Sequence, residues 1–310
     1  MVWSFEHIEH QLKALGAEEH ASLKDLTSFR VGGEARLLLR PQSYDVLKRA
    51  VDLCAQADYP FMLLGRGTNV LASDAGYDGL IIRFDTPMHA SVYDDVRVTV
   101  CCGMSLMQLS RETISHGLMG MERLAGIPGS VGGACAMNAG AYGAEIKQIL
   151  KRVRIYQNGE DRWVNVQESD LGYRKSAFSF PNCIALEAEL LLCRDDGSAS
   201  AVMEECMQKR RDKQPLTVPS AGSTFKRPEG YFAGALIEQC GLKGYSVGDA
   251  QVSPKHAGFI VNNGNATEHQ ISALIEYVKK TVSEKTGVTL ECEIKRIGGE
   301  PSCSCGLLPE

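Results

Sequence analysis

The chain has 310 residues, which at roughly 100–200 residues per domain suggests two or three domains, long enough to bury a core without disulfide or metal staples. It carries 33 basic and 38 acidic residues, a net charge of −5, which excludes a non-specific nucleic-acid binder needing a basic surface. Hydrophobic residues at 44% and charged residues at 23% describe a globular chain and not a disordered one.

From the amino terminus, Ile8, Leu12 and Leu15 recur at helical spacing and predict a helix over residues 3–16. No basic flank precedes an apolar run and no stretch is apolar enough to cross a bilayer, so neither a signal peptide nor a membrane anchor is expected, and the chain reads as cytoplasmic. Aliphatic runs at Ala35–Leu39, Phe61–Leu64, Leu80–Phe84 and Val96–Cys102 predict strands. Helical patterns lie at Tyr44–Ala57 and over residues 105–116. Strands resume at Arg152–Gln157 and Ile184–Leu192. This alternation points to α/β or α+β and away from a sandwich. Asp195-Asp196-Gly197-Ser198 reads as a linker. An amphipathic helix through Val202, Cys206 and Arg210 and a Pro-bearing stretch, Gln214–Pro219, come next. A further helix (Ile271, Leu274, Ile275, Val278, Val282) and strands at Ala257–Val261 and Val288–Ile294 complete a smaller α+β region, and the tail after Gly298 reads as flexible. The 11 cysteines include no CxxC pair; Cys303 and Cys305 read as an incidental reduced pair, and no metal site is expected.

Glycine is in excess at 31 residues, and eight of them fall between Gly117 and Gly143. Two glycine-rich segments stand out. Gly65-Arg66-Gly67-Thr68-Asn69-Val70-Leu71 follows a strand, where small residues let backbone N–H groups face an anion. An ordinary glycine turn would look the same, and Val70 breaks a dinucleotide fingerprint. Leu124–Gly143 has so few bulky side chains that either another segment or an elongated anionic ligand must lie against its backbone. Three shorter segments carry polar groups. Gly172-Tyr173-Arg174-Lys175-Ser176 offers a guanidinium fork suited to a carboxylate or phosphate, and Pro219–Pro228 sets Ser223 among glycine, aromatic and cationic neighbours. In Val288–Ile294 alternation puts Glu291 and Glu293 on one polar face, without choosing between them.

These five segments together with Thr27-Ser28-Phe29-Arg30-Val31-Gly32-Gly33, in register over about residues 25–298, resemble the MurB family of UDP-N-acetylenolpyruvoylglucosamine reductases. The resemblance implies an α+β fold: two FAD-binding subdomains of the vanillyl-alcohol-oxidase (PCMH) type at residues 1–83 and 84–198, a C-terminal α+β substrate-binding domain at 199–298, and a tail at 299–310. FAD would be held by Gly65, Arg66, Gly67, Thr68, Asn69, Val70 and Leu71 and by Gly126, Ile127, Pro128, Gly129, Ser130, Gly132 and Gly133, with Asn138, Gly140 and Ala141. The implied reaction reduces the enolpyruvyl ether of UDP-N-acetylglucosamine to UDP-N-acetylmuramate with NADPH, in peptidoglycan precursor synthesis. Arg174 would clamp the substrate carboxylate, Ser223 would protonate C2, and Glu293 would polarise the carboxylate or orient the site. Tyr173, Lys213, Lys226, Arg227 and His256 would contact substrate, with Lys226 or Lys213 assisting the serine. Only 49 positions separate Arg174 from Ser223, which matches the shorter, type II branch and leaves Tyr245 or Arg227 as replacements for the longer branch's capping tyrosine. The rival readings are an FAD-dependent hydroxy-acid or sugar oxidase on the same scaffold and a non-catalytic flavin-binding module. The oligomeric state is not legible, although a monomer is favoured.

Overall fold

A computed structural model describes residues 5–178 and 183–299, so Cys303, Cys305 and the tail after Gly299 lie outside the described residues. Helices are α1 (Phe5–Ala14), α2 (Tyr44–Gln56), α3 (Leu106–Ser115), α4 (Val131–Met137), α5 (Ala199–Lys213), α6 (Ala233–Gln239) and α7 (Glu268–Thr286). The early strands are β1 (Glu34–Leu39), β2 (Phe61–Leu64), β3 (Val70–Ala72), β4 (Tyr77–Arg83), β5 (Val92–Asp94) and β6 (Arg97–Cys101). The middle ones are β7 (Leu150–Gln157), β8 (Glu160–Asn165), β9 (Leu171–Gly172), β10 (Lys175–Ser176) and β11 (Ile184–Leu191). The last are β12 (Ser220–Ser223), β13 (Ser246–Val247), β14 (Ala250–Val252), β15 (Phe259–Asn262) and β16 (Lys295–Ile297). The α+β class expected from the sequence holds. No helix among the described residues is long and apolar enough to cross a membrane.

The chain divides into two compact units. The first comprises Met1–Glu18, Leu37–Arg66 and Gly79–Arg210; the second comprises Glu19–Arg36, Gly67–Asp78 and Arg211–Glu310. In the first, β2 runs parallel to β4, with Phe61 opposite Leu80, and an antiparallel five-stranded sheet has the order β8-β7-β11-β6-β5. Central β11 is almost wholly buried, and its Glu187 and Glu189 are tolerated there because Arg154 and Arg152 each reach them at 2.7 Å. Leu12, Leu47, Leu80, Val98, Val153 and Leu186 contribute to this unit's core. Ser43 and Ser105 cap α2 and α3 by accepting from Val46 N and Gln108 N.

In the second unit the antiparallel order is β12-β15-β14-β13, and β3 pairs in parallel with β16. Helix α7 starts in a capping box between Thr267 and Gln270 and stops at Gly287, whose φ of +72° suits glycine. Its apolar stripe, Ile271, Leu274, Ile275, Val278 and Val282, packs with Phe29, Val31, Leu71 and Ile260 into this unit's core.

One expectation needs correction. Val288–Ile294 is not a strand: it makes a single bridge, Cys292 with Phe225, and the strand begins only at Lys295. The alternation arises because Leu290 and Ile294 are buried, while the backbone bonds go to loops instead of a ladder. Glu293 N donates to Thr224 O at 2.8 Å and Lys295 N to Asn69 O at 3.0 Å. The glycine-rich stretch contains helix α4, capped by Ser130 and ended by left-handed Asn138.

Candidate functional site

The predicted site residues fall in both units, and each set is described within its own unit. In the first, Gly65 and Arg66 leave β2 and meet the Gly126–Ser130 loop. Arg66 Nε donates to Pro128 O at 3.1 Å, and a Cβ on Gly65 would stand 2.6 Å from Ser130 Oγ. The start of α4 is not an open anion site, because its donors are spent inside the chain: Val131 N on Met104 O, Gly132 N on Cys102 O, and Gly133 N on Ser130 Oγ. Gly132 is there for close packing, since its Cβ would lie 3.1 Å from Cys102 Cβ. Gly140 and Ala141 form one side of a hairpin whose turn, Tyr142-Gly143, has positive φ at both residues. The sequence reading missed Arg210, which served there only as a helix marker. Its Cδ would stand 3.1 Å from a Cβ on Gly126, and burial pushes its guanidinium below the ordinary arginine range.

Tyr173 and Arg174 are the two central residues of the β9–β10 hairpin, in which Gly172 pairs with Lys175. Arg174 has φ +55°, a conformation that a hairpin turn usually gives to Gly or Asn, and its guanidinium stands 5.3 Å from the Tyr173 ring centre. Such strain on a large side chain costs about 1–3 kcal/mol and persists only where the surrounding structure over-determines it.

In the second unit, Gly67 has φ +66°, and a Cβ there would fall 2.1 Å from Leu26 O. Gly67→Ala is therefore expected to cost about 1–3 kcal/mol, measured as a lowered urea midpoint. Beside this loop Thr27 is 6% exposed, and its Oγ1 has no hydrogen-bond partner among the described residues. Asn69 Nδ2 donates to Glu293 O at 3.3 Å, so its amide is turned to the backbone, and Val70 and Leu71 pair with Lys295 and Arg296.

Ser223 is exposed at the end of β12, where the register against β15 slips between Ser220 and Ser223 and Gly222 takes φ +77°. A bulge of this kind re-aims the side chain that follows it. The next residue, Thr224, is fully buried and interlocked: its N donates to Gly258 O, its Oγ1 accepts from Ile260 N, and its O accepts from Glu293 N. Ser223 and Glu293 thus hang from one hydrogen-bonded backbone lattice. The structure also separates the two glutamates that alternation left equivalent. Glu291 is exposed and takes Lys226 Nζ at 2.9 Å, whereas Glu293 is partly buried.

Lys213 is exposed at the end of α5. Arg227 stacks 4.0 Å over Phe232, and Tyr245 stacks on Tyr277. His256 is half-buried and its Nδ1 accepts from Gly258 N at 3.1 Å, which places the neutral ring's proton on Nε2. Burial holds its pKa below the ordinary 6.5. As pH falls, the unfolded chain takes up this proton near 6.5 and the folded chain only lower, so stability is full above 6.5 and declines below it. Between about pH 7 and about pH 5, thermal midpoints of the wild type should fall further than those of His256→Asn, which keeps an acceptor but does not titrate.

Residues 214–297 match the UDP-N-acetylenolpyruvoylglucosamine reductase C-terminal domain, and residues 35–165 match the FAD binding domain. The UDP-N-acetylenolpyruvoylglucosamine reductase of Clostridium novyi (strain NT) is 42% identical over 280 residues, 90% of this chain and 91% of that protein. The one from Oceanobacillus iheyensis is 40% identical over 302 residues, 95% and 98% of the two chains. The crystal structure of MurB from Thermus caldophilus superposes with a TM-score of 0.75 at 34% identity, covering 90% of this chain and 98% of that one. By identity over nine-tenths or more of its length and by fold, this chain belongs to the UDP-N-acetylenolpyruvoylglucosamine reductase family.

Proposed function

We propose that this protein reduces UDP-N-acetylglucosamine enolpyruvate to UDP-N-acetylmuramate, with NADPH as electron source and FAD as carrier, as a cytosolic step of peptidoglycan precursor synthesis. The observation that carries the reading is the bulge presenting Ser223 on the same backbone lattice as Glu293, in a chain matched over 90% of its length by a reductase of that name. On this reading residues 1–83 and 84–198 serve FAD and residues 199–298 serve the substrate.

The first unit's residues fit the cofactor. The guanidiniums of Arg66 and Arg210 adjoin the loop at Pro128 and at Gly126, which suits a dianionic pyrophosphate. Held there, FAD would supply the hydride-transfer chemistry that links NADPH to the enolpyruvyl group. The chain's own groups handle charge and proton. Hydride addition drives negative charge onto C2 and the carboxylate, and the Arg174 fork holds that carboxylate through the change. Ser223 Oγ–H gives its proton to C2, and Glu293 orients the carboxylate end of the substrate. Lys226 is already paired with Glu291, so Lys213 is the freer of the two lysines to assist Ser223.

The test is anaerobic NADPH oxidation by the purified flavoprotein, with and without UDP-N-acetylglucosamine enolpyruvate. Oxidation beyond one flavin equivalent only with that compound is the expected result. A halt at one equivalent in its presence would overturn the proposal.

A further inference from the structure

Asn138 was expected to touch the cofactor, but it is 1% exposed and its amide is committed within the chain. Nδ2 donates to Glu145 Oε2 at 3.0 Å and to Gly172 O at 3.0 Å, while Oδ1 accepts from Lys147 N at 3.2 Å. Those partners fix which end of the amide is which, since a flipped amide would face two acceptors with an oxygen and an N–H with a donor. Glu145 is itself held: Lys147 Nζ reaches its Oε2 at 3.2 Å, and it caps the short turn Ile146–Gln148.

Gly172 is the residue that opens the Tyr173-Arg174 turn. The amide therefore grips the carbonyl two residues before the strained φ of Arg174. A side chain in a sparsely populated conformation stays aimed only if its surroundings over-determine the turn. We infer that Asn138 is a positioning residue for Arg174, acting through the Gly172 carbonyl, with Glu145 as its anchor. The inference rests on the reading that Arg174 binds the substrate carboxylate.

Asn138→Gly isolates the side chain, because glycine keeps the left-handed φ of 42° that ends α4 and removes only the amide. Its expected signature is a rise in KM for the enolpyruvyl substrate and a loss of about tenfold or more in kcat/KM, with flavin content and NADPH-driven flavin reduction unchanged. Glu145→Gln retains an acceptor and should stay near wild type, while Glu145→Ala should show the Asn138→Gly signature. In an Arg174→Ala background, Asn138→Gly should cost nothing further. Full additivity of the two losses would overturn the inference and leave the role of Arg174 intact. Equal loss of the NADPH half-reaction in Asn138→Gly would also overturn it. An Arg174→Ala enzyme with normal turnover would remove the reading beneath it.

Discussion

Ser223→Ala is expected to lose about 10²–10⁴-fold in turnover, the usual worth of a positioned general acid, and to leave flavin reduction by NADPH near its normal rate. The fold should not notice the change. Ser223 is exposed, and the bonds that shape its surroundings run through Thr224 and through the backbone at Ser220 and Ser223. Stopped-flow traces of the two half-reactions separate the effects: only reoxidation by the enolpyruvyl substrate should slow. If flavin reduction fell equally, Ser223 would be serving the cofactor and not C2.

Arg174 allows a sharper contrast between folding and chemistry. Arg174→Gly removes the side chain and its stack on Tyr173 while relieving a left-handed conformation worth roughly 1–2 kcal/mol for a residue with a Cβ. The variant should therefore still fold cooperatively in urea, while turnover falls by about 10²–10³-fold, as when one donor to developing charge is removed. Arg174→Lys keeps both the strain and the charge but loses the planar fork, and is still expected to lose at least about tenfold. Full activity in the lysine variant would take Arg174 out of the carboxylate clamp.

Helices with a periodic apolar face were legible to within a few residues. Tyr44–Gln56 and Glu268–Thr286 combine that face with a capping side chain that can be read locally. Helix α4 was not, because its seven residues include two glycines and no periodic face; its cap at Ser130 and its contact with Cys102 define it only in three dimensions. Val288–Ile294 misled because a strand and an extended segment bonded to loops leave the same alternation. Motifs brought Arg174, Ser223 and Glu293 into view, but not what sets them apart. A left-handed arginine runs against local preference, the bulge before Ser223 needs its partner strand to exist, and the ion pair that Glu291 makes with Lys226 comes from another segment. Arg210 was hidden by its own helix, where a cation normally marks the solvated face.

The way the second unit is threaded governs the order in which this chain can fold on the ribosome. The first unit's core is drawn from residues between Ile8 and Leu192, so it can close once its last segment has emerged. Phe29, Val31 and Leu71 leave the ribosome early but belong to a core that also needs Leu290 and Ile294, and the strand Val70–Ala72 finds its mate only at Lys295–Ile297. Those apolar segments lack their native partners until Lys295–Ile297 has been made, a non-local closure of the kind that folds slowly and leaves apolar surface transiently exposed. Dividing the gene at Asp195–Ser198 would not yield two folding modules. The downstream piece would lack the residues around which its core condenses.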